Sequence, residues 1–485
     1  MKRAKYFVAA ILIALAAFGR GEISTQLTEA VGPLNEGVPE VAVIRLRGLL
    51  KQNLSDPDWR AVAGKLLEAL VRANQTADAV KLAEDPRLRQ SSVAIFWHAQ
   101  LLAGLNHEPE ALALYQKVSA DKSSSLHDEA LFGAAEMLRA MGRREEALQN
   151  LLILFRNPNW NVRAQLRAAE IYLDESDAGN ARRLLDRTQP KTLAEKKERH
   201  FLRGRLELAL RRPDRALANF ESILKQPEGA THETLTAVLF ALANTHLQQN
   251  TPESGDDALE NYVEHRPSDV DLMRIFAKLD ELYRAERKPS RTELDRWARD
   301  PAEPRRAFAQ WYLARFDLRG GRRDRALESF AALRKSCPRN AALVPAFIEF
   351  ADLQLEDRHF DDALAILEEA RSLQPEPVVL DRLNLLGAEI KYRAGRFDAA
   401  TADFERVANS DPQLAPVAMF NAALGALQTG DKTRFIATAS ELAKKGNYEK
   451  PDADLQLDAG LVEAAKGDPR AAETLTKFLH QFPNS

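Results

Sequence analysis

The chain has 485 residues, of which 45% are hydrophobic and 29% are charged, and its formal net charge is −3. This composition is typical of a folded globular protein rather than of a disordered chain. The balance of 68 basic against 71 acidic residues excludes the broadly basic surface of a nucleic-acid-binding domain. A single cysteine excludes a disulfide framework and any zinc site built from several thiolates.

The N-terminus has the layout of a secretory signal peptide. Basic residues near the start precede an apolar run over residues 6–18, and small residues follow. This run is shorter than the roughly 20 apolar residues that a membrane-spanning helix needs. We therefore predict a signal peptide at residues 1–19, with cleavage after Gly19 and export to the periplasm or the medium. An uncleaved membrane anchor is the alternative.

Residues 20–38 contain three glycines and a proline, with little hydrophobic periodicity. Glycine and proline in a segment without periodicity are typical of loops. This segment is predicted to be a flexible linker that leads into the rest of the chain.

One short pattern recurs along the rest of the chain: a polar turn, an alanine, and a large apolar residue four positions later. Clear examples are Ala216 with Phe220, Ala326 with Phe330, and Ala400 with Phe404. The positions of this anchor residue are Ala42, Ala79, Ala111, Ala147, Ala181, Ala216, Ala258, Ala326, Ala363, Ala400, Phe435 and Ala471. The double interval between Ala258 and Ala326 predicts a degenerate unit within residues 284–306.

The spacing of the anchors predicts an all-α chain. Each period has room for two helices of about 12 to 15 residues and two tight turns, which is the helix-turn-helix unit of an α-solenoid. A small anchor residue lets two helices approach closely, and the residue four positions later lies on the same helix face. Glycine or asparagine in the turn supplies a left-handed helix cap.

The segment Val344–Pro375 shows which family the pattern resembles. The order large, large, small, small, large, small and proline is found at Phe347, Phe350, Ala351, Ala363, Leu367, Ala370 and Pro375. In this order they resemble the tetratricopeptide repeat family, and the chain is similar to bacterial periplasmic adaptors of that family. The resemblance implies a right-handed α-solenoid of about thirteen stacked units over residues 39–485. It also implies that the first helix of each unit lines a concave groove that receives a segment of another protein.

Candidate partner-binding residues lie on the helix predicted around residues 305–319. Aromatic and arginine side chains are enriched at binding hot spots, which makes Phe308, Trp311, Arg315 and Arg319 candidates. Trp97 is a further candidate on another helix. The alternative is that the aromatic residues form the core between units and that the arginines are solvated surface residues.

The sequence offers no constellation that indicates catalysis, a cofactor or a metal. Histidines lack the spacing of a metal site, and no nucleophile has a neighbouring base. Acidic pairs such as Asp256-Asp257 precede anchor residues, where helix N-terminal electrostatics explains them. We therefore predict no catalytic, cofactor-binding or metal-binding residues.

These features predict a non-catalytic scaffold or adaptor of the bacterial cell envelope. Its partners would be other proteins or peptides and not nucleic acid, and it would contact the membrane only through an uncleaved signal segment. The alternative function is a helical subunit or accessory domain of a peptidoglycan-acting enzyme complex. A structural spacer without a preferred ligand is a third possibility.

Overall fold

A computed structural model describes residues 23–336, 338–444 and 451–481 of the chain. These ranges contain 26 helices and no strand, so the predicted all-α helical repeat fold is confirmed. The predicted signal peptide at residues 1–19 lies outside the described residues. No helix in the described part of the chain is both long and apolar enough to cross a bilayer.

The helices are numbered α1 to α26 in chain order. They are α1 (23–35), α2 (Pro39–Leu50), α3 (Asp56–Arg72), α4 (Thr76–Ala83), α5 (Ser92–Gly104), α6 (Glu108–Ser119), α7 (His127–Ala140), α8 (Arg144–Leu154), α9 (Asn161–Asp174), α10 (Ala178–Arg187), α11 (Leu193–Ala209), α12 (Pro213–Lys225), α13 (His232–Gln248), α14 (Pro252–His265), α15 (Leu272–Ala285), α16 (Thr292–Trp297), α17 (Arg305–Arg319), α18 (Arg323–Ser336), α19 (Val344–Glu356), α20 (Phe360–Ser372), α21 (Pro377–Arg393), α22 (Phe397–Ser410), α23 (Ala415–Thr429), α24 (Lys432–Lys444), α25 (Pro451–Ala465) and α26 (Ala471–Gln481).

The helices form successive pairs, each with an odd-numbered first helix and an even-numbered second helix. In twelve of these pairs the short turn between the two helices contains a residue with positive φ. These residues are Gly37, Asn74, Asn106, Gly142, Ser176, Arg211, Asn250, Gly321, Arg358, Gly395, Gly430 and Gly467. In one example the Gly321 N–H donates to the Leu318 carbonyl (3.0 Å), and the Arg322 N–H donates to the Asp317 carbonyl (2.8 Å). This hydrogen-bond pattern ends the first helix and reverses the chain.

The anchor residues occupy an equivalent place in most second helices. Those that are fully buried in the fourth position of their helix are Ala42, Ala79, Ala111, Ala147, Ala181, Ala216, Ala326, Ala363 and Ala400. The anchor predicted at Ala258 is wrong, because the fourth residue of α14 is Gly255. Gly255 packs against Leu282 of α15, and Leu259, four positions later, is fully buried.

The chain divides into two compact units, which comprise the residues up to Thr245 and those from His246 onward. In unit 1, successive odd-numbered helices contact each other directly, as α3 does with α5 and α9 with α11. In unit 2 the same holds for α15 with α17 and for α21 with α23. We call the surface formed by these first helices the odd-helix face.

Residues 23–35 form a helix, which corrects the prediction of a flexible linker over 20–38. Ala30 and Leu34 of this helix are buried in the same core cluster as Ala42 and Leu46 of α2. Burial of this apolar stripe outweighs the low helix propensity of the glycine and proline near the end of α1.

The second helix of the eighth pair, α16, is only six residues long. It is held by its side chains, because Leu294 and Trp297 are almost completely buried. The Trp297 Nε1–H donates to Glu264 Oε2 at 2.6 Å, and its ring meets the edge of the Phe276 ring. Packing replaces the backbone hydrogen bonds that a longer helix would provide.

Glycines in several first helices leave room for large side chains from neighbouring helices. Gly204 of α11 provides a test of this close packing. A Cβ at Gly204 would overlap the ring of Phe220, which is fully buried. We expect Gly204→Ala to lower the free energy of unfolding of unit 1 by about 1 to 3 kcal/mol, because overpacking displaces the ring. Thermal and denaturant unfolding measure the change.

The matched control is Gly48→Ala in α2, where a Cβ meets no atom within 4 Å. There the gain in helix propensity should raise stability by up to about 1 kcal/mol. Equal effects of the two substitutions would contradict the close packing at Gly204.

Candidate functional site

A groove of about 340 Å³ opens on the odd-helix face of unit 2, between α17 and α19. Its apolar floor includes Leu318 and Leu353. Its charged lining residues are Arg284, Arg315, Arg319, Glu349, Asp352 and Glu356. The charges are segregated, with the arginines on α15 and α17 and the carboxylates on α19.

The basic wall is built on one buried carboxylate, that of Asp280, which is 2% exposed. Arg319 Nη1 lies 2.6 Å from Asp280 Oδ1. Arg284 Nε and Arg315 Nη2 each lie 3.6 Å from Asp280 Oδ2, which accepts no hydrogen bond. Three guanidinium groups therefore share one carboxylate, and positive charge remains in excess on this wall.

The acidic wall is held partly by partners on neighbouring helices. The Trp311 Nε1–H donates to Glu349 Oε2 at 2.9 Å, and Arg315 Nε lies 3.8 Å from Glu349 Oε1. Glu356 accepts a hydrogen bond from Arg323 at 2.9 Å. Asp352 is exposed, and no hydrogen bond or ion pair joins it to another described residue.

The ionisation of this wall reflects burial and like charge. Burial raises the pKa of Glu349, although the hydrogen bond from Trp311 opposes the shift. Although Asp352 is exposed, partial desolvation in the groove raises its pKa, and the carboxylates of Glu389, Glu356 and Glu349 add to that increase. The charge of Arg393 opposes it. A cation placed in the groove would relieve this repulsion.

Two predicted contact residues, Phe308 and Trp311, lie in the core and not on an open surface. They are 2% and 4% exposed, and Phe308 stacks with Phe276, which also packs on Trp297. Aromatic residues at helical spacing fit a core as well as a binding face, and here the packing of α15 and α16 buries them. Trp311 reaches the groove only indirectly, by donating to Glu349.

Arg315 and Arg319 line the groove, and their side chains are about one third exposed (31% and 34%). Trp97 lies in unit 1 on α5, where it is half-buried beneath the Arg72 guanidinium, 5.1 Å from the ring centre. The structure therefore brings Arg315 and Arg319 together and does not join Trp97 to them. Partner binding by these three residues stays a prediction.

On the odd-helix face of unit 1, the charged side chains pair with side chains of opposite charge. Arg167 Nε lies 2.6 Å from Glu136, and Arg205 Nη2 lies 2.7 Å from Asp174. Glu170 also contacts arginines from α7, α9 and α11. Because these charges neutralise one another across three helices, this network offers fewer free charges than the groove in unit 2.

The predicted site residues did not include Asp280, Arg284, Glu349, Asp352 and Glu356. Some of them can be found in the sequence by numbering the residues of each repeat from its own turn. Counting back from the positive-φ residue, position six holds Arg315 in one pair, Asp352 in the next and Glu389 in the third. Position two holds Arg319, Glu356 and Arg393 in the same pairs. At both positions the sign of the charge changes from positive on α17 to negative on α19.

A second group of ionisable side chains lies between α14 and the end of α15. Asp256 is 7% exposed, and burial together with the neighbouring Glu286 raises its pKa. Burial also raises the pKa of Glu260 to about 7, although Tyr283 donates a hydrogen bond to it at 2.6 Å. Because Asp256 faces the interior, helix N-terminal electrostatics does not explain it.

The raised pKa of Asp256 predicts a pH-dependent stability of unit 2. Its carboxyl keeps a proton in the folded chain at pH values where the unfolded chain has lost it. The resulting stability is present in acid and is lost as the pH rises from about 4, near the pKa of the unfolded carboxyl, to about 8, the pKa in the folded chain. Asp256→Asn, which mimics the protonated carboxyl, should flatten this dependence in thermal unfolding.

The exposed neighbour Asp257 provides the control for this prediction. Asp257→Asn should keep the pH dependence of the unsubstituted chain. Carboxyls whose pKa is lowered, such as Asp85 beside Arg87, titrate below this range and do not interfere. If the stability of both variants depended on pH in the same way, Asp256 beside Glu286 would not be the cause of the pH dependence.

Comparison with known proteins identifies the repeat in part of the chain. The tetratricopeptide repeat profile matches residues 385–452, which run from α21 into α25. The match covers these residues and not the rest of the chain. No curated protein matches it.

Three solved structures are similar to this chain at low sequence identity. A chain of the APC/C hetero-tetramer Cut9-Hcn1 is 16% identical, over 98% of this chain and 89% of that one, with a TM-score of 0.35. A chain of Naa15/Naa10 bound to HypK-THB is 14% identical, over 95% and 76%, with a TM-score of 0.30. A tetratricopeptide repeat protein from Parabacteroides merdae ATCC 43184 is 14% identical, over 61% and 97%, with a TM-score of 0.30.

Proposed function

We propose that this protein is a non-catalytic scaffold of the bacterial cell envelope that binds segments of other proteins on its odd-helix face. The repeated helical pairs and the tetratricopeptide repeat sequence at 385–452 support a protein-protein interaction scaffold. Such repeats act by presenting an extended surface to a partner. The envelope location rests on the N-terminal sequence pattern alone.

The observation that carries this proposal is the groove between α17 and α19. It combines an apolar floor with arginine and carboxylate side chains that remain partly exposed. Aromatic residues beneath it, Phe308 and Trp311, fix α17 in place. A rigid helix face with exposed charges suits recognition of a partner, since it loses little conformational entropy on binding.

A crosslinking pull-down from an envelope extract of the cells that make this protein tests the proposal. We expect a reproducible protein partner, identified by mass spectrometry, that is lost with Arg315→Glu because the substitution reverses a charge in the groove. Arg325→Glu is the matched control, since Arg325 is exposed on the even-numbered helix α18. Circular dichroism should show that both variants fold.

Other outcomes would count against the scaffold. Recovery of glycan rather than protein would favour a subunit of a peptidoglycan-acting enzyme complex. Recovery of no partner would favour a spacer. Retention of the partner by both Arg315→Glu and Arg325→Glu would show that it does not bind in this groove.

A further inference from the structure

We propose that the groove between α17 and α19 binds a polypeptide segment with an acidic and a basic side chain two to four residues apart. The acidic side chain contacts Arg315 and Arg319, and the basic side chain contacts Asp352. This inference rests on the proposed function and adds the chemistry of the bound segment.

The basic wall has donors to spare for a carboxylate from a partner. Arg284, Arg315 and Arg319 share the carboxylate of Asp280, and only Arg315 also approaches Glu349, at 3.8 Å. Each guanidinium group carries five N–H donors, so donors remain for a ligand. The Arg284 side chain is 53% exposed, so it can turn toward a ligand. A partner carboxylate would form charge-assisted hydrogen bonds with these groups and balance their excess charge.

The acidic wall has one carboxylate that is available for a cation. Glu349 is engaged by Trp311 and Arg315, and Glu356 by Arg323. Asp352 lies between them on α19 without a partner of its own among the described residues. A lysine or arginine of the partner would pair with Asp352 and reduce its repulsion from the neighbouring carboxylates.

The spacing of the partner's charges follows from the register of the repeat. Arg315 and Asp352 occupy equivalent positions on α17 and α19, six residues before the turn. Packed helices lie about 8 to 10 Å apart, and an extended chain rises about 3.3 Å per residue. Charges about three residues apart therefore match the two walls, and side-chain length allows two to four.

The separation of positive and negative charge in the groove also disfavours segments that carry charges of one sign only. A purely acidic segment that crosses the groove would place carboxylates against Asp352 and Glu356. A purely basic segment would meet Arg315 and Arg319. Like charges brought together lower affinity, so the groove selects segments that carry both signs.

Selection from a random 12-residue peptide display library on the immobilised full chain tests this inference. We expect enrichment of peptides with an acidic and a basic residue two to four positions apart. A synthetic peptide of the enriched sequence should bind at least tenfold more weakly to Asp352→Lys. Replacing the basic residue of that peptide with glutamate should restore binding to this variant.

Glu328→Lys provides the matched control, because Glu328 is exposed on α18 and the change in net charge is the same. It should bind the peptide as the unsubstituted chain does. Equal weakening by Asp352→Lys and Glu328→Lys, an apolar consensus, or no enrichment would overturn the inference. An apolar consensus together with a partner in the pull-down would leave the proposed scaffold function standing.

Discussion

Replacing Asp280 with alanine is expected to lower the free energy of unfolding of α15 and α17 by about 2 to 4 kcal/mol. The substitution leaves the guanidinium groups of Arg284, Arg315 and Arg319 facing one another without their shared carboxylate. The cost stays below that of a fully buried ion pair, because the arginines are one third to one half exposed. Hydrogen exchange of the backbone amides in α15 and α17 measures it.

Asp352→Ala is the matched control for Asp280→Ala. Asp352 is an exposed aspartate on the opposite wall, with no partner that the structure describes, so its loss should change stability by less than about 0.5 kcal/mol. If the backbone amides of α15 and α17 exchanged as slowly in Asp280→Ala as in Asp352→Ala, the buried carboxylate would not organise the basic wall.

Replacing Trp297 with alanine is expected to lower the free energy of unfolding of unit 2 by about 3 to 5 kcal/mol. Trp297 is fully buried, so truncation leaves a cavity against Phe276 and removes the hydrogen bond to Glu264. The six-residue helix α16 has few backbone hydrogen bonds with which to compensate. Thermal and denaturant unfolding of the full chain measure the loss.

Trp297→Phe separates the contribution of the buried ring from that of the hydrogen bond to Glu264. It keeps an aromatic ring in the core but removes the indole N–H, so part of the cost is the carboxylate of Glu264 left without this donor. We expect a loss of about 1 to 3 kcal/mol for this variant. An alanine variant that unfolds like the original chain would show that α16 is not held by Trp297.

The helical pairs were predictable from sequence because their turns carry strong local chemistry. Glycine and asparagine adopt the left-handed conformation readily, and a small residue must stand where two helices approach closely. The prediction at Ala258 fails because Gly255, three residues earlier, is the small residue that packs closely in α14. The left-handed conformation of Ser176, Arg211 and Arg358 lacked such a preference in the sequence.

The candidate site was only partly predictable, since burial depends on contacts between distant residues. Phe308 and Trp311 share a helix with Arg315, but Phe276 and Trp297 from other helices decide that the aromatic residues face inward. Asp280 looks like an ordinary charged helix residue until α17 brings two arginines to it. Helical spacing alone does not separate these cases.

The opposite-sign pattern of the groove was present in the sequence but needed the correct register. Arg315, Asp352 and Glu389 become comparable only when each repeat is counted from its own turn. Helix α1 shows the opposite case, in which the local sequence pattern is misleading. Its glycine and proline predict a loop, yet burial of Ala30 and Leu34 decides the structure.

Site-specific photocrosslinking of the full chain, in the cells that make it, tests whether the groove between α17 and α19 binds a protein. A benzophenone amino acid replaces Leu318 in the groove in one variant and Glu328 on α18 in the other. We expect a discrete protein adduct from position 318 that is absent from position 328. Equal adducts at both positions, or none from position 318, would contradict a protein-binding groove on the odd-helix face.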